Sequence, residues 1–140
     1  MLRTLLWNKL IYFKNFMSIT KNLDTAWAKE VKIRAGYKCE WCGCTHRQLH
    51  SHHMVGRKIL ATRWDARNGI CLCVICHKFG KHSVHEDPDH FREWVLESPR
   101  KEDYIYANSR KWQEFKPNNG MRREMLKEKK AYIKENDINT

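Results

Sequence analysis

The stretch that decides the reading runs from Tyr37 to His82. It contains Cys39-Glu-Trp-Cys42, then Ser51-His52-His53-Met54, then Asn68-Gly-Ile-Cys71-Leu-Cys73, and last Cys76-His77. Two residues between thiolates let one turn of backbone present both sulfurs to a single ion. Two such turns close a tetrahedral four-sulfur site. Cys39, Cys42, Cys73 and Cys76 are therefore the expected ligands of a structural zinc ion. A site of that kind clamps distant segments and adds folding free energy to a small domain. The 30 residues between Cys42 and Cys73 exceed the gap of an ordinary zinc ribbon, roughly 15–20, so something is inserted between the knuckles. Cys44 and Cys71 would each give Cys-x-Cys spacing, and they read as packed thiols or groups beside the ligands.

The insertion carries the histidines. It reads as a strand over Leu49 to Val55, a basic loop opened by Gly56, and a turn signal at Asn68-Gly69. A second strand over Ile70 to Leu72 and a helix from near Cys73 to about Gly80 follow. Successive strand residues face opposite ways, so His52 and His53 would serve different sides. His50 would share the face of His52, as a packing group or a phosphate contact. Histidine suits a metal ligand or a general base because its neutral form is available near pH 7. His82 and His85 are candidates for a further ligand. The five-residue step from His77 to His82 suits one helical face poorly. His46 and His90 read as surface residues. Arg57 and Arg63 suit phosphate contact, while Trp64 reads as pinned to the core. A plainer reading makes the histidines part of an enlarged zinc site with no chemistry.

These segments resemble HNH endonucleases of the ββα-metal class, in the variety braced by a zinc knuckle, over about residues 37–82. The resemblance implies His53 as general base, with His52 and His77 as ligands of a catalytic divalent cation. Asn68 would be the amide that fixes the loop and orients the base. Two histidines with open positions suit Mg2+ or Mn2+, while imidazole also favours Zn2+ or Ni2+. The set Arg57, Thr62-Arg63-Trp64-Asp65 and Asn68 is also similar to phage recombination nucleases of the NinG (Rap) type. That narrower likeness implies branched or recombining DNA as substrate.

Composition agrees with a polyanion partner. Lys and Arg number 27 against 16 Asp and Glu in 140 residues, for a net charge of +11, and such excess displaces counterions from nucleic acid. DNA is the expected partner, with RNA as the other choice. No run is apolar over ~18 residues, so no membrane partner is expected. Reduced cysteines and the lack of a secretory signal place the chain in the cytoplasm, that of a bacterial host if a phage encodes it.

The chain divides into a basic leader over 1–20, a nuclease domain over 21–97 and a helical basic tail over 98–140. Met17 is an alternative start. The domain opens with a helix from Leu23 to Ala35, striped by Leu23, Trp27 and Val31 and stopped by Gly36. A later helix is capped by Asp87 with Pro88 at its first position, buries Phe91, Trp94 and Val95, and ends at Pro99. Residues 104–115 fit helix or strand equally. Asn118-Asn119-Gly120 reads as a break before a charged helix over Met121 to Glu135. There Met125 with Tyr132, and Leu126 with Ile133, hint at a helix partner or dimer seam.

The expected architecture is α+β: a small ββα-metal core clamped by a four-cysteine zinc site, with flanking helices. The expected function is metal-dependent hydrolysis of DNA phosphodiesters. Its rivals are a non-catalytic zinc module that binds nucleic acid and a zinc-stapled protein-interaction domain.

Overall fold

A computed structural model describes residues 2–138; Met1 of the leader and the last two residues of the tail lie outside the described residues. The order is α1 (Leu2–Arg34), β1 (Leu49–His53), α2 (Leu60–Arg63), a 3-10 turn (Ala66–Asn68), β2 (Gly69–Cys73) and a π turn (Ile75–Phe79). Then come α3 (Pro88–Glu97), α4 (Lys101–Ser109) and α5 (Asn119–Asn136).

Helix α1 runs unbroken through the expected junction between leader and domain. No Gly or Pro lies between Leu2 and Arg34, so nothing in the backbone stops a helix once it has started. It ends where Gly36 and Tyr37 turn left-handed, at φ 62° and 54°. The Tyr37 amide reaches back to the Lys32 carbonyl (3.0 Å) and closes the last turn. The Tyr37 hydroxyl donates to Asp137 (2.8 Å), which ties this strained turn to the end of α5.

The two strands form an antiparallel ribbon, with Leu49 opposite Cys73 at one end and His53 opposite Gly69 at the other. Paired residues share a face, so His50 and His52 lie with Leu72 and Ile70, and Ser51 and His53 lie with Cys71 and Gly69. β2 is buried throughout. Ile70 and Leu72 join Cys39, Val84, Phe91 and Val95 in one cluster, while Cys71 joins Leu23, Trp27, Val31 and Trp64 in another. The ribbon is thus a partition between α1 and α3, which explains why β2 reads as a continuous apolar run.

The turn signal at Asn68-Gly69 falls where a 3-10 turn ends at Asn68 and β2 begins. Gly69 starts β2 with extended backbone, and a Cβ there would overlap Val31 and Trp27. Its lack of a side chain lets α1 lie directly against the ribbon. The expected helix after Cys73 is a five-residue π turn, closed by the Gly80 amide on the Ile75 carbonyl (2.8 Å).

Asp87 caps α3 by accepting from the His90 amide (3.1 Å), with Pro88 in the first turn. The ambiguous stretch 104–115 is helical as far as Ser109. Arg100 ties α4 to the ribbon through Glu40 (2.6 Å) and the Gly69 carbonyl (2.6 Å). Asn118, read as part of a break, is the N-cap of α5. Arg122 meets Thr20 (2.7 Å), Lys129 meets Glu30 (2.7 Å) and Asp137 meets Lys29 (2.8 Å). Helix α5 therefore runs beside α1 in the same direction. Met125 and Leu126 pack on the α1 cluster, so the apolar spacing in this helix serves an intramolecular partner.

Candidate metal and catalytic site

The four knuckle sulfurs, of Cys39, Cys42, Cys73 and Cys76, lie within 4.8 Å of one another, positioned to hold a metal ion such as zinc. Each knuckle is built the same way. The amide of Cys42 points at the Cys39 sulfur and that of Cys76 at the Cys73 sulfur, both at 3.5 Å. Gly43 takes φ 75° to let the first knuckle turn. Burial opposes the Cys73 thiolate, but amide and thiol donors outweigh it and bring the group down to about 6. Cys71 belongs instead to the α1 cluster, where burial pushes its thiol up to about 12 and keeps it a neutral packing group. Cys44 is half-buried, and its carbonyl accepts from the Cys39 amide (2.9 Å).

A second donor group lies on the α3 face of the ribbon. His52, His77 and His85 bring one nitrogen each within 4.8 Å of the others. His77 Nε2 is 3.2 Å from His52 Nδ1 and 3.1 Å from His85 Nε2. One nitrogen cannot satisfy two others with a single proton, whereas three lone pairs turned on one point suit a cation. Burial first, and the neighbouring imidazoles second, lower His52 to about 3 and His77 to about 4. Both are neutral at pH 7, the form a ligand needs. The far nitrogen of His77 lies 2.8 Å from His50 Nδ1, so His50 can settle which His77 nitrogen faces the group.

His85 comes close because the segment after the π turn folds back on it. The Val84 amide reaches the Cys76 carbonyl (2.9 Å) and the His85 amide the His77 carbonyl (3.3 Å). Buried Ser83 holds the bend through the Lys78 carbonyl (3.0 Å). His82 is outside this group. It is exposed and pairs with Asp87 (3.3 Å), because the same bend turns it towards the start of α3. His46 and His90 are exposed, as read from sequence.

His53 occupies the opposite face, as strand alternation requires. Its ring stacks on Trp27 of α1 at 3.7 Å and 8°. Its Nε2 lies 2.8 Å from the Arg63 carbonyl. A carbonyl only accepts, so Nε2 carries the hydrogen and Nδ1 keeps its lone pair. Burial lowers the pKa of His53 against that hydrogen bond, which leaves a neutral ring. Trp27 is itself held by its Nε1 donating to the Asp65 carbonyl (2.9 Å). Nothing in the spacing of Trp27 marked it as a partner of His53; it read only as one residue of a core stripe.

Asn68 is fully buried. Its amide donates to the carbonyls of Val55 (2.8 Å) and Thr62 (3.2 Å), and its oxygen accepts from the Val55 amide (2.7 Å). It thereby pins both ends of the basic loop, including the segment whose carbonyl holds His53. Arg63 is not free for phosphate. It makes a two-pronged pair with Asp24 (2.9 and 2.7 Å), which also accepts from Trp64 (2.8 Å). Burial works against the Asp24 carboxylate, yet these donors hold it below the usual range. Arg57 stays exposed.

No family model, curated protein or solved structure matches this chain. The geometry therefore stands by itself. His52, His53 and His85 line one cleft of about 480 Å3, together with Arg92 and Tyr104. Arg92 is exposed and is a cleft cation that sequence reading passed over, hidden on the polar face of α3.

Proposed function

We propose that this protein is a metal-dependent endonuclease of the HNH type that hydrolyses phosphodiesters in DNA. The observation that carries the reading is a pairing within one cleft. Two of the three donor histidines, His52 and His85, line it together with a neutral, oriented histidine from the next strand position. His52, His77 and His85 would hold a divalent cation, which when bound supplies Lewis-acid stabilisation of phosphate and leaving-group charge. His53 accepts the proton of the attacking water at Nδ1, while Trp27 and the Arg63 carbonyl keep its ring in place. Asn68 holds the loop that supplies this carbonyl. Arg57 and Arg92, both exposed, are the cations available to substrate phosphates. Zinc is the metal proposed for the four cysteines.

The third histidine changes the expected catalytic metal. Three imidazole nitrogens favour Mn2+, Ni2+ or Zn2+ over Mg2+, which prefers oxygen. The likeness to recombination nucleases makes branched DNA the second substrate to try.

The test is supercoiled plasmid incubated with EDTA, Mg2+ or Mn2+, beside a His53→Ala protein that retains its zinc. Nicking that needs metal and vanishes in the variant supports the reading. Salt-sensitive binding without cleavage, on plasmid and branched DNA alike, would move the protein to the non-catalytic module.

A further inference from the structure

Helix α1 has two unlike halves. From Ile19 onward its apolar side chains are buried against the ribbon and α5. Arg122 of α5 lies 4.2 Å over the Phe16 ring and marks the end of that cover. The turns before it, about 20 Å of helix at 1.5 Å per residue, carry Leu5, Leu6, Trp7, Leu10, Tyr12 and Phe13. Each of these is 54–65% exposed. Single exposed apolar residues are ordinary, but a contiguous set this dense marks an interaction surface.

Charge and spread choose the occupant. Residues 1–22 carry Arg3, Lys9, Lys14 and Lys21 and no acid, so a second copy laid along the segment would bring like charges together. A helix–helix seam uses a narrow stripe of every third or fourth residue. Here Leu5, Leu6 and Trp7 are consecutive, as are Leu10, Ile11, Tyr12 and Phe13, and at 100° per residue they cover a broad sector. A wide apolar sector, cations on flexible stems and the amphipathic rings of Trp7 and Tyr12 suit a lipid–water boundary. Nucleic acid would meet the lysines but offers no apolar phase. No described helix is long and apolar enough to cross a membrane.

We propose that residues 4–17 dock along an anionic lipid surface, with leucine and aromatic side chains at the acyl boundary and Lys9 and Lys14 at headgroup phosphates. The lack of a spanning helix among the described residues does not bear on this mode, because a helix lying in the interface does not cross it.

The full zinc-loaded chain would be floated with vesicles of phosphatidylcholine alone, or of phosphatidylcholine with phosphatidylglycerol. Flotation is expected only with the anionic vesicles, and weaker at high salt. Lys9→Gln with Lys14→Gln should weaken binding about 30-fold, from about fivefold per surface cation. Leu6→Glu with Phe13→Glu should abolish it while zinc content and circular dichroism stay unchanged, since both side chains are exposed. Equal flotation of the parent and the Leu6/Phe13 variant would overturn the proposal. So would a parent that does not float but self-associates through residues the same variant disrupts, which would make a second copy the occupant. None of these readouts depends on DNA cleavage.

Discussion

The cysteine group and the histidine group are gathered around one ribbon but are assembled differently. Each pair of cysteines is presented by a single local turn, and the ribbon only brings the two turns together. The histidines come from a strand, a π turn and a returning loop, one from each. The first group is closed by four sulfurs. The second has three nitrogens and borders an open cleft. A clamp can be specified by spacing alone, whereas an open donor group depends on how three segments meet.

Removing the clamp should have the largest effect. Structural zinc contributes on the order of 10–16 kcal/mol in zinc-finger peptides, against a net domain stability of about 5–15 kcal/mol. Cys73→Ser, or stripping with a chelator, is expected to abolish the cooperative thermal transition seen by circular dichroism. A variant that melts like the parent would show that the cysteines are not a clamp.

His53, which lines the cleft beside the open group, should behave in the opposite way, losing rate far more than stability. His53→Ala is expected to slow metal-dependent plasmid cleavage by roughly 10²–10⁴-fold with little change in melting temperature. If melting falls and the residual rate does not, His53 belongs with the structural residues.

Metal titration sharpens the comparison further. By calorimetry with Mn2+ on zinc-loaded protein, His85→Ala should lose most affinity. His50→Ala should lose about 10–100-fold, as for groups that orient a ligand. His82→Ala should match the parent. An inverted order of His82 and His85 would mean the returning loop is placed otherwise in solution.

The pH dependence of the protein without a metal in the histidine group tests the donors themselves. His52 and His77 sit at about 3 and 4 when folded, against an ordinary 6.5. Between these values the unfolded chain binds more protons. Their contribution to stability is full above about pH 6.5 and is lost as pH falls towards 3 to 4. Denaturant midpoints at several pH values should fall less steeply for His52→Gln than for the parent, and parallel curves would refute the assignment.

Much of the ribbon was legible beforehand. Alternation put His52 and His53 on opposite faces, and Asp87 with Pro88 announced α3. Trp64 read as core and is 2% exposed. The misses share a cause. Arg63 read as a loop cation because its partner, Asp24, lies 39 residues earlier. His85 was named as a candidate ligand, but only His82 was weighed, by its step from His77 along a helix, and the chain instead doubles back. The seven-residue spacing on α5 could not say whether its partner was another chain or α1.

Local covalent spacing by itself determined the two cysteine knuckles, the order of the two strands, the Asp87 cap of α3 and the basic surplus. Each depends on a few neighbouring residues, or on a sum over the chain. Only the tertiary structure decided that α1 backs His53 with Trp27, that His85 joins His52 and His77, that Arg63 is taken by Asp24, and that the first turns of α1 stand uncovered. Those outcomes depend on contacts between segments far apart in sequence, and no spacing rule encodes which buried surfaces will meet.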